Sequence, residues 1–581
     1  MRKRFLWALC FAMGICACVW AADWPSTAGN PQRDGWAQGE TDLTKQNIAA
    51  KKIELVYKYK FDNQAVGLHD MTAPIDLERI IGYQGFKQLL FVGGSSGSVY
   101  ALDSDIGQLF FTTKFDPIGN AATPAAPSAL CSGGLTANLA MPGQSGGGRG
   151  FGGAGRAPAR GAARGGAARG AAPGRGAAAG RGAAPARGGG GGGFGRGPAV
   201  FWAVSSDGYL RTLRQQDGDA TWIAPTKFLP ANADVTGLNV DGDVIYAATA
   251  NSCGGNPNGI YAALYTPPEL PQMPGEPLVT PAKFEVVNFM TNGSGFSGTG
   301  GTAIASDGSL VYGQVAEGKG TVAGTYHDTV LALDPKTLDV KDYFTPSGSL
   351  PPVKKGIENP GVTPAVFSWN DKTIVVAGGR DGRLYLLDGS SLGGANHRSP
   401  LYASDPVVKP DPHYGGEGIW GTFATWEDAA NGNTRWIYAA IHGQPTMQFP
   451  ASDGSASAGA IVAFKVVDQG GNPTLAPQWI SHDMTSPAGP VTANGLVFAL
   501  STGMTPRVAK DDGTPYTVAE EEKMAKPAVL YILDGTTGKE LMSSGDAATS
   551  FSTSGIAVAG GHVYFTTHDN TLYAYGIPLE R

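Results

Sequence analysis

The most regular feature of the chain is a short hydrophobic run that recurs along its length and ends in an aspartate or glycine turn. Copies of this run occupy residues 99–103, 331–334, 384–388, 530–534 and 572–575. Short runs of β-branched, aromatic and aliphatic residues between turn residues predict strands. Their recurrence predicts a repeat architecture, because one such unit cannot bury its apolar face alone.

Tight turns group these strands into sets. Asp-Gly or Asn-Gly pairs at residues 207–208, 241–242, 307–308 and 494–495 are two-residue hairpin signals. Opening strands rich in small residues begin near residues 72, 125, 235, 300, 362, 420, 489 and 554. We therefore predict an all-β fold, an eight-bladed β-propeller of four-stranded antiparallel blades, as the closed solution for such units.

The eighth unit ends near residue 576, one strand short of the others. The alternating segment 53–61, which precedes the first unit, can supply the missing outer strand. Such pairing would remove an open sheet edge. We expect the propeller to span residues 53–578, its last blade closed by this N-terminal strand, and to follow an N-terminal extension at residues 22–52.

Residues 143–198 interrupt the second blade with a sequence made almost entirely of Gly, Ala, Arg and Pro. We predict that this insert is disordered, because it cannot bury enough apolar area to offset the entropy of ordering it. A tolerated loop expansion and an Arg-rich tether to anionic surfaces or RNA both remain open as its role.

Arg2, Lys3 and Arg4 precede an uncharged apolar run at residues 5–20, which small residues follow. This pattern predicts a secretory signal at residues 1–21 and hence a periplasmic or secreted protein. The run is short for a transmembrane anchor, so we expect no membrane-spanning segment. A lipoprotein anchor at residues 15–18 remains open as an alternative.

Charge and cysteine content narrow the function classes. Removing the three positive charges of the signal and the nine arginines of the insert from the net charge of −6 leaves the remainder near −18. Such an acidic body argues against nucleic-acid binding. Beyond the signal only Cys131 and Cys253 remain, and we expect them on opposite faces without a disulfide. No CxxCH motif occurs, so we expect no covalent haem.

One face of the propeller is expected to carry the long loops. In an up-and-down blade, the connections between strands two and three emerge on the same face as the connections between blades. In this sequence these are the long ones, such as residues 251–259, 316–326, 393–418 and 503–526. Loops on a rigid scaffold commonly carry binding residues. We expect a small molecule or an envelope protein to bind on this long-loop face.

Polar residues just before the innermost strands should ring the mouth of the central channel on this face. The tetrapeptide His-Asp-Met-Thr stands there twice, at residues 69–72 and 482–485. Carboxylates, amides and imidazoles could hold a hard cation or act as acid and base, or else satisfy polar groups between blades. The set comprises His69, Asp70, His327, Asp328, Glu358, Asn359, Glu417, His482 and Asp483, with His413 and His442 near the rim and Trp420 available to stack on a planar ligand.

The repeat Tyr-Ala-Leu-Asp-x-x-x-Gly resembles the pyrroloquinoline-quinone (PQQ) repeat propellers, the quinoprotein alcohol dehydrogenase-like family. The segment between Asp23-Trp24 and Leu55-Val56-Tyr57 is similar to the start of the family's dehydrogenases. The resemblance implies PQQ in the channel between a Trp and a disulfide of adjacent cysteines, Ca²⁺ held by Glu and Asn, and an Asp base. This chain lacks the adjacent cysteines.

Two functions therefore remain open: a ligand-binding or protein-binding member with unproven catalysis, and an exported PQQ- and Ca-dependent alcohol or sugar dehydrogenase without haem. For the enzyme, the residues at the mouth supply three sets of candidates. These are Asp70, Asp328 and Asp483 as the base, Trp420, Glu417 and His442 for the cofactor, and Glu417, Glu358, Asn359 and Asp483 for the metal.

Overall fold

The computed structural model describes thirteen stretches of the chain. They are residues 23–64, 67–82, 85–118, 131, 135, 139–142, 199–269, 280–291, 293–316, 326–347, 361–411, 416–507 and 509–578. The predicted signal and the Arg-rich insert lie outside the described residues. Within these stretches the strands form small antiparallel sheets arranged as an eight-bladed β-propeller, which confirms the predicted fold class.

The blades follow one another in chain order. After β1 (Glu54–Lys60), blade 1 consists of β2 (Ile75–Gly82), β3 (Gly85–Gly94), β4 (Ser98–Asp103) and β5 (Gln108–Lys114). Blade 2 contains β6 (Val200–Val204), β7 (Tyr209–Arg214) and β8 (Thr226–Lys227). Blade 3 consists of β9 (Asp234–Asp241), β10 (Val244–Ala250), β11 (Gly259–Thr266) and β12 (Lys283–Met290). Blade 4 consists of β13 (Thr302–Ile304), β14 (Val311–Val315), β15 (Thr329–Leu333) and β16 (Val340–Phe344).

The second half of the ring repeats this arrangement. Blade 5 consists of β17 (Ala365–Trp369), β18 (Lys372–Gly378), β19 (Leu384–Asp388) and β20 (Tyr402–Ala403). Blade 6 contains β21 (Gly418–Ile419), β22 (Ala424–Asp428), β23 (Thr434–His442), β24 (Ala451–Ser452), β25 (Gly459–Gln469) and β26 (Asn472–Ile480). Blade 7 consists of β27 (Val491–Ala493), β28 (Leu496–Ser501), β29 (Val529–Asp534) and β30 (Glu540–Ser543). Blade 8 contains β31 (Ala557–Ala559), β32 (His562–Thr567) and β33 (Thr571–Gly576).

Helices are few in the described part of the chain. The two α-helices are α1 (Lys45–Ala49) and α2 (Val518–Met524). Short 3₁₀ turns occur at Cys253–Gly255, Gly394–Asn396, Ala429–Asn431 and Gly545–Ala547. None of the described helices is long and apolar enough to cross a membrane.

Strand β1 occupies the outer position of blade 8. It runs antiparallel to β33, with Tyr59 opposite Leu572 and Lys60 opposite Thr571. The pairing joins a segment before blade 1 to the last blade of the ring. Because the outer edge of β33 would otherwise be unpaired, β1 covers a free set of backbone donors and acceptors.

The turn glycine of the repeat has a packing role. Gly538, with φ of +74°, follows β29 and packs against the ring of Trp479 from the outer strand of blade 6. Gly107, which follows β4 in the same pattern, packs in the same way against Tyr57 of β1, the outer strand of blade 8. A Cβ atom at either glycine would collide with the ring. The glycine of the Asp-x-x-x-Gly pattern is therefore required by the close contact between neighbouring blades.

Residues 24–40 fill one end of the central channel, and we call them the N-terminal plug. The innermost strand of each blade turns a free edge toward the channel, and the plug supplies partners for these edges. It forms hydrogen bonds with all eight blades, in their order around the ring. The partners are Asp76, Met141, Asn239, Ile304, Val366, Thr425, Thr492 and Gly561. The plug therefore closes the channel on the face that carries the short turns between strands one and two.

Arg33 anchors the plug. Its side chain is fully buried and donates hydrogen bonds to the backbone oxygens of Thr27, Leu238 and Thr302 and to Ser26 Oγ. Leu238 and Thr302 belong to the innermost strands of blades 3 and 4, so one guanidinium ties the plug to two blades. Burial lowers the pKa of Arg33 to about 9.

The prediction that Cys131 and Cys253 would stay unpaired is wrong. They form a disulfide with their Cα atoms 5.7 Å apart. The error came from placing the opening strand of blade 2 near residue 125, whereas Ala140 holds the innermost described position there by bridging to Trp202. Cys131 therefore belongs to the connection between blades 1 and 2, which lies on the same face as the β10–β11 connection that carries Cys253.

Candidate functional site

A cavity of about 330 Å³, which we call the channel cavity, lies in the half of the central channel that faces the long loops. Its floor is the inner side of the plug, at Thr27 and Ala28. A neighbouring space of about 130 Å³ shares part of this lining. Because the plug closes the other end among the described residues, the channel cavity opens toward the long-loop face.

The walls are the residues that immediately precede the innermost strands. At the closest approach of these segments only a small residue fits, because a Cβ at Gly489 would collide with Thr422. Most of the polar side chains in the lining carry a hydroxyl. They are Thr27, Ser297, Thr299, Thr422, Ser486, Thr502, Thr505, Tyr516, Ser552, Thr553 and Ser554.

Two imidazoles also line the channel cavity, His69 before blade 1 and His442 at the end of β23. Burial lowers the pKa of His442 to about 4, although its bond to the Pro487 carbonyl partly opposes this. Burial likewise lowers the pKa of His69, against its bond to the Thr553 carbonyl. Both rings are therefore neutral at pH 7, each donating one N–H to a carbonyl. The second ring nitrogen of each is then a hydrogen-bond acceptor.

The loop after β28 forms the outer wall of the cavity. Thr517 begins α2 with a capping box to Glu520, which turns Glu521 toward the cavity. Glu521 accepts a hydrogen bond from the Thr505 N–H at 2.5 Å, and burial raises its pKa. Arg507 at the rim is paired with Asp511 at 2.6 Å. The charged groups of this wall therefore already have partners in the protein.

Among the predicted cofactor ligands, the structure brings Trp420 and His442 together in the channel cavity. Trp420 is buried, and its Nε1 donates to the Gly416 carbonyl at 2.8 Å. Glu417 is half-buried and packs beside Gly443, outside the cavity lining. Of this predicted set, Trp420 and His442 line the channel cavity and Glu417 does not.

The three predicted base residues lie elsewhere. Asp70 is fully buried and faces His568, whose Nδ1 is 3.1 Å from Asp70 Oδ2. Asp328 pairs with Arg380 Nε at 3.1 Å between blades 4 and 5. Asp483 accepts backbone N–H bonds from residues 457 and 458, both at 2.7 Å. Although burial raises the pKa of Asp483, these hydrogen bonds outweigh it and lower the pKa below its ordinary value. Each carboxylate holds the scaffold together.

His568 connects three parts of the ring beside the channel cavity. Besides Asp70, its Nε2 lies 3.1 Å from Glu522 Oε1 of α2, and its ring stacks on Phe551 at 4.6 Å. Burial disfavours the charged ring, but the hydrogen bonds to Asp70 and Glu522 outweigh this and raise the pKa of His568 to about 9. The imidazolium therefore holds α2 against blades 1 and 8.

The predicted metal set is not assembled in the described part of the chain. Glu358 and Asn359, together with His413, lie outside the described residues. No group of three or more His, Cys, Asp or Glu side chains among the described residues is placed to hold a metal ion. The carboxylate that does line the channel cavity, Glu521, is already engaged by a backbone N–H. The described residues alone therefore do not assemble a Ca²⁺ site of the kind that the resemblance implies.

Sequence reasoning missed the hydroxyl lining and the plug. Small residues precede the innermost strands, for example at residues 486–489 and 552–555, and on the sequence alone they marked only where strands begin. Their positions before each strand could have shown that the channel is lined by hydroxyls. The plug offered no comparable pattern, because its contacts are made largely by its backbone.

Comparisons with known proteins agree on the fold. No family model matches the sequence, and no curated protein matches it. A europium-containing methanol dehydrogenase shares 11% identity, with 96% of this chain and 98% of that chain covered and a TM-score of 0.52. A quinohemoprotein alcohol dehydrogenase from Pseudomonas putida HK5 shares 12% identity, with 96% and 81% covered and a TM-score of 0.50. In fold, this chain is similar to these dehydrogenase propellers.

Proposed function

We propose that this protein is an exported binding propeller that takes a small uncharged molecule, rich in hydrogen-bond donors, into the channel cavity. The observation that carries the proposal is the lining of that cavity. It combines a blind end with several hydroxyl side chains and two neutral imidazoles, each with one acceptor nitrogen, set in a mostly apolar surface. Every charged group described in the lining is already paired or hydrogen-bonded within the protein.

The lining selects against charged ligands. A charge transferred into a largely closed site costs several kcal/mol unless a counter-charge meets it there. The imidazoles of His69 and His442 accept hydrogen bonds, and the hydroxyls both donate and accept. A ligand that presents several O–H or N–H groups without a formal charge satisfies these groups best.

The size of the cavity suits a compact ligand. Small-molecule sites in proteins commonly enclose about 300–1,000 Å³. The channel cavity, at about 330 Å³, lies at the lower end of that range. Apolar atoms of Trp420 and neighbouring prolines offer a flat face for the carbon skeleton. A polyol or a monosaccharide combines these properties.

Export is supported by two observations. The sequence predicts a secretory signal at residues 1–21. The Cys131–Cys253 disulfide is of the kind that persists in oxidising compartments such as the periplasm. We therefore place the binding function outside the cytoplasm as part of the same proposal.

Calorimetric titration of the full mature chain tests the proposal. The ligands are a neutral series (glycerol, erythritol and glucose), a charged series (gluconate and glucosamine), and PQQ with Ca²⁺. We expect saturable binding within the neutral series alone. His442→Leu, which removes one acceptor nitrogen, should weaken it at least tenfold. His397→Leu is the matched control, because His397 stacks on Tyr343 at 4.0 Å, away from the channel.

Two results would overturn the proposal. The first is no saturable binding of any neutral compound. The second is uptake of PQQ with a quinone absorbance and dye-linked alcohol oxidation, which would establish the alternative, a PQQ- and Ca-dependent alcohol or sugar dehydrogenase.

A further inference from the structure

A second depression lies on the opposite face of the propeller, over the outer side of the plug. Its volume is about 450 Å³. The floor comes from plug residues between 30 and 38, and the walls come from blades 4, 5 and 6. We call it the plug-face site. The plug separates it from the channel cavity, because Thr27 and Ala28 line one side and residues 30–38 line the other.

Arg435 supplies a fixed donor at this site. Its side chain is only 10% exposed, and its guanidinium lies 5.6 Å from the Trp36 ring and 5.2 Å from the Phe367 ring. In the described part of the chain, its hydrogen bond goes from Nη2 to Glu427 Oε2 at 2.6 Å. A guanidinium has five N–H donors, so Arg435 keeps donors for a ligand in a position that packing has already fixed.

Asp34 supplies an acceptor from the floor. It is 7% exposed and accepts the Trp36 N–H at 3.0 Å. A carboxylate has about four lone-pair sites, so further acceptor capacity remains. Burial raises the pKa of Asp34 to about 6, although hydrogen bonds from Asn30 and Trp36 and the charge of Arg435 act against it. The hydrogen bond from Arg435 is accepted by Glu427, so the carboxylate of Asp34 remains available to a ligand.

The rest of the lining adds further hydrogen-bonding groups and an aromatic surface. Side-chain amides, which both donate and accept, surround the two buried groups. Trp36 is only half-buried and adds aromatic surface. The amides belong to Asn30, Gln32 and Gln38.

The geometry points to a neutral saccharide as the ligand of the plug-face site. Sugar hydroxyls can accept from Arg435 and donate to Asp34 at the same time, and the flanking amides can bind neighbouring hydroxyls in either sense. Asp34 and Glu427 together outnumber Arg435 in charge, which disfavours anionic ligands such as phosphates. This inference is independent of the proposed function of the channel cavity.

Titration of the full mature chain with neutral hexose and pentose oligomers of one to four residues tests the inference. The titration uses the His442→Leu background, in which binding to the channel cavity is weakened, and each plug-face variant is compared with this parent so that any residual channel binding is common to both. We expect saturable binding that Asp34→Asn weakens at least tenfold, because an amide nitrogen replaces one acceptor oxygen. Asp371→Asn is the matched control: Asp371 is exposed in a turn on the same face, outside the site, and its substitution should leave binding unchanged.

A second variant guards against a folding artefact. Gln38 is exposed at the rim, so Gln38→Ala should fold normally and weaken binding several-fold. The inference is overturned if none of the oligomers binds saturably. It is also overturned if Asp34→Asn and Gln38→Ala, both with native circular dichroism spectra, bind the oligomers as tightly as their His442→Leu parent.

Discussion

Replacing Arg33 by Met tests whether the plug is an integral part of the fold. The substitution keeps an apolar stem of similar length and removes every donor of the guanidinium. Four hydrogen bonds are lost, three of them to backbone oxygens. The Thr302 oxygen retains the Asn239 Nδ2 donor at 2.8 Å, so the oxygens of Thr27 and Leu238 lose the most.

The expected cost follows from these two oxygens. The loss of a donor at a buried acceptor costs about 1–3 kcal/mol, so the two losses together cost about 4 kcal/mol. Removing a fully buried charge, whose pKa is lowered to about 9, returns part of this sum. We therefore expect the free energy of unfolding to fall by about 2–3 kcal/mol for Arg33→Met.

Two measurements check this expectation. Urea unfolding followed by circular dichroism gives the loss of stability, with Arg398→Met as the control because the Arg398 side chain is exposed. Hydrogen exchange should accelerate at residues 24–40 and along β9 and β13, where the lost bonds end. A stability loss no larger than that of Arg398→Met, with unchanged exchange in the plug, would refute the anchoring role of Arg33.

Three further predictions concern the scaffold. Replacing Cys131 and Cys253 together by Ser should lower the free energy of unfolding by about 4–5 kcal/mol, because their disulfide closes a sequence separation of 122 residues. Thiol titration of the native chain after residue 21 should find no free thiol. Burial raises the pKa of Asp76 well above its ordinary value, so the buried carboxylate destabilises the fold increasingly as pH rises above about 4. Asp76→Asn should therefore keep or raise the thermal midpoint at pH 7, and a large drop would contradict this. The pKa of His568 is raised to about 9, so its ion pairs contribute about 2–3 kcal/mol to the free energy of unfolding below pH 6.5, and this contribution is lost as pH rises through 9. The thermal midpoint of His568→Gln should not show this decline with pH. An unchanged decline in the variant would exclude His568 as its source.

Repetition made the architecture predictable. The recurring strands and turns gave the number of blades, and predicted opening positions such as 235, 300, 362 and 489 lie within three residues of β9, β13, β17 and β27. Blade 2 was placed wrongly because a repeat with a long insert offers no spacing to count. The error in Cys131 follows directly from that misplacement.

The candidate site was predictable only in part, for a reason that lies in strand geometry. Neighbouring residues of an extended chain point to opposite sides. His69 therefore lines the channel cavity while Asp70 turns away to His568. Sequence could place the His-Asp pair at the mouth, but only the register of the chain decides which member of the pair faces the channel.

The position of both sites follows from how the channel is filled. Eight innermost strands leave eight free edges around one axis, and buried backbone groups must find partners or water. The plug supplies those partners over the half of the channel near the short turns, and its length determines where the filling ends. What remains of the channel becomes the channel cavity, and the outer side of the plug becomes the floor of the plug-face site. One segment of about 17 residues, without regular strands of its own, therefore creates both surfaces on which the function of this propeller depends.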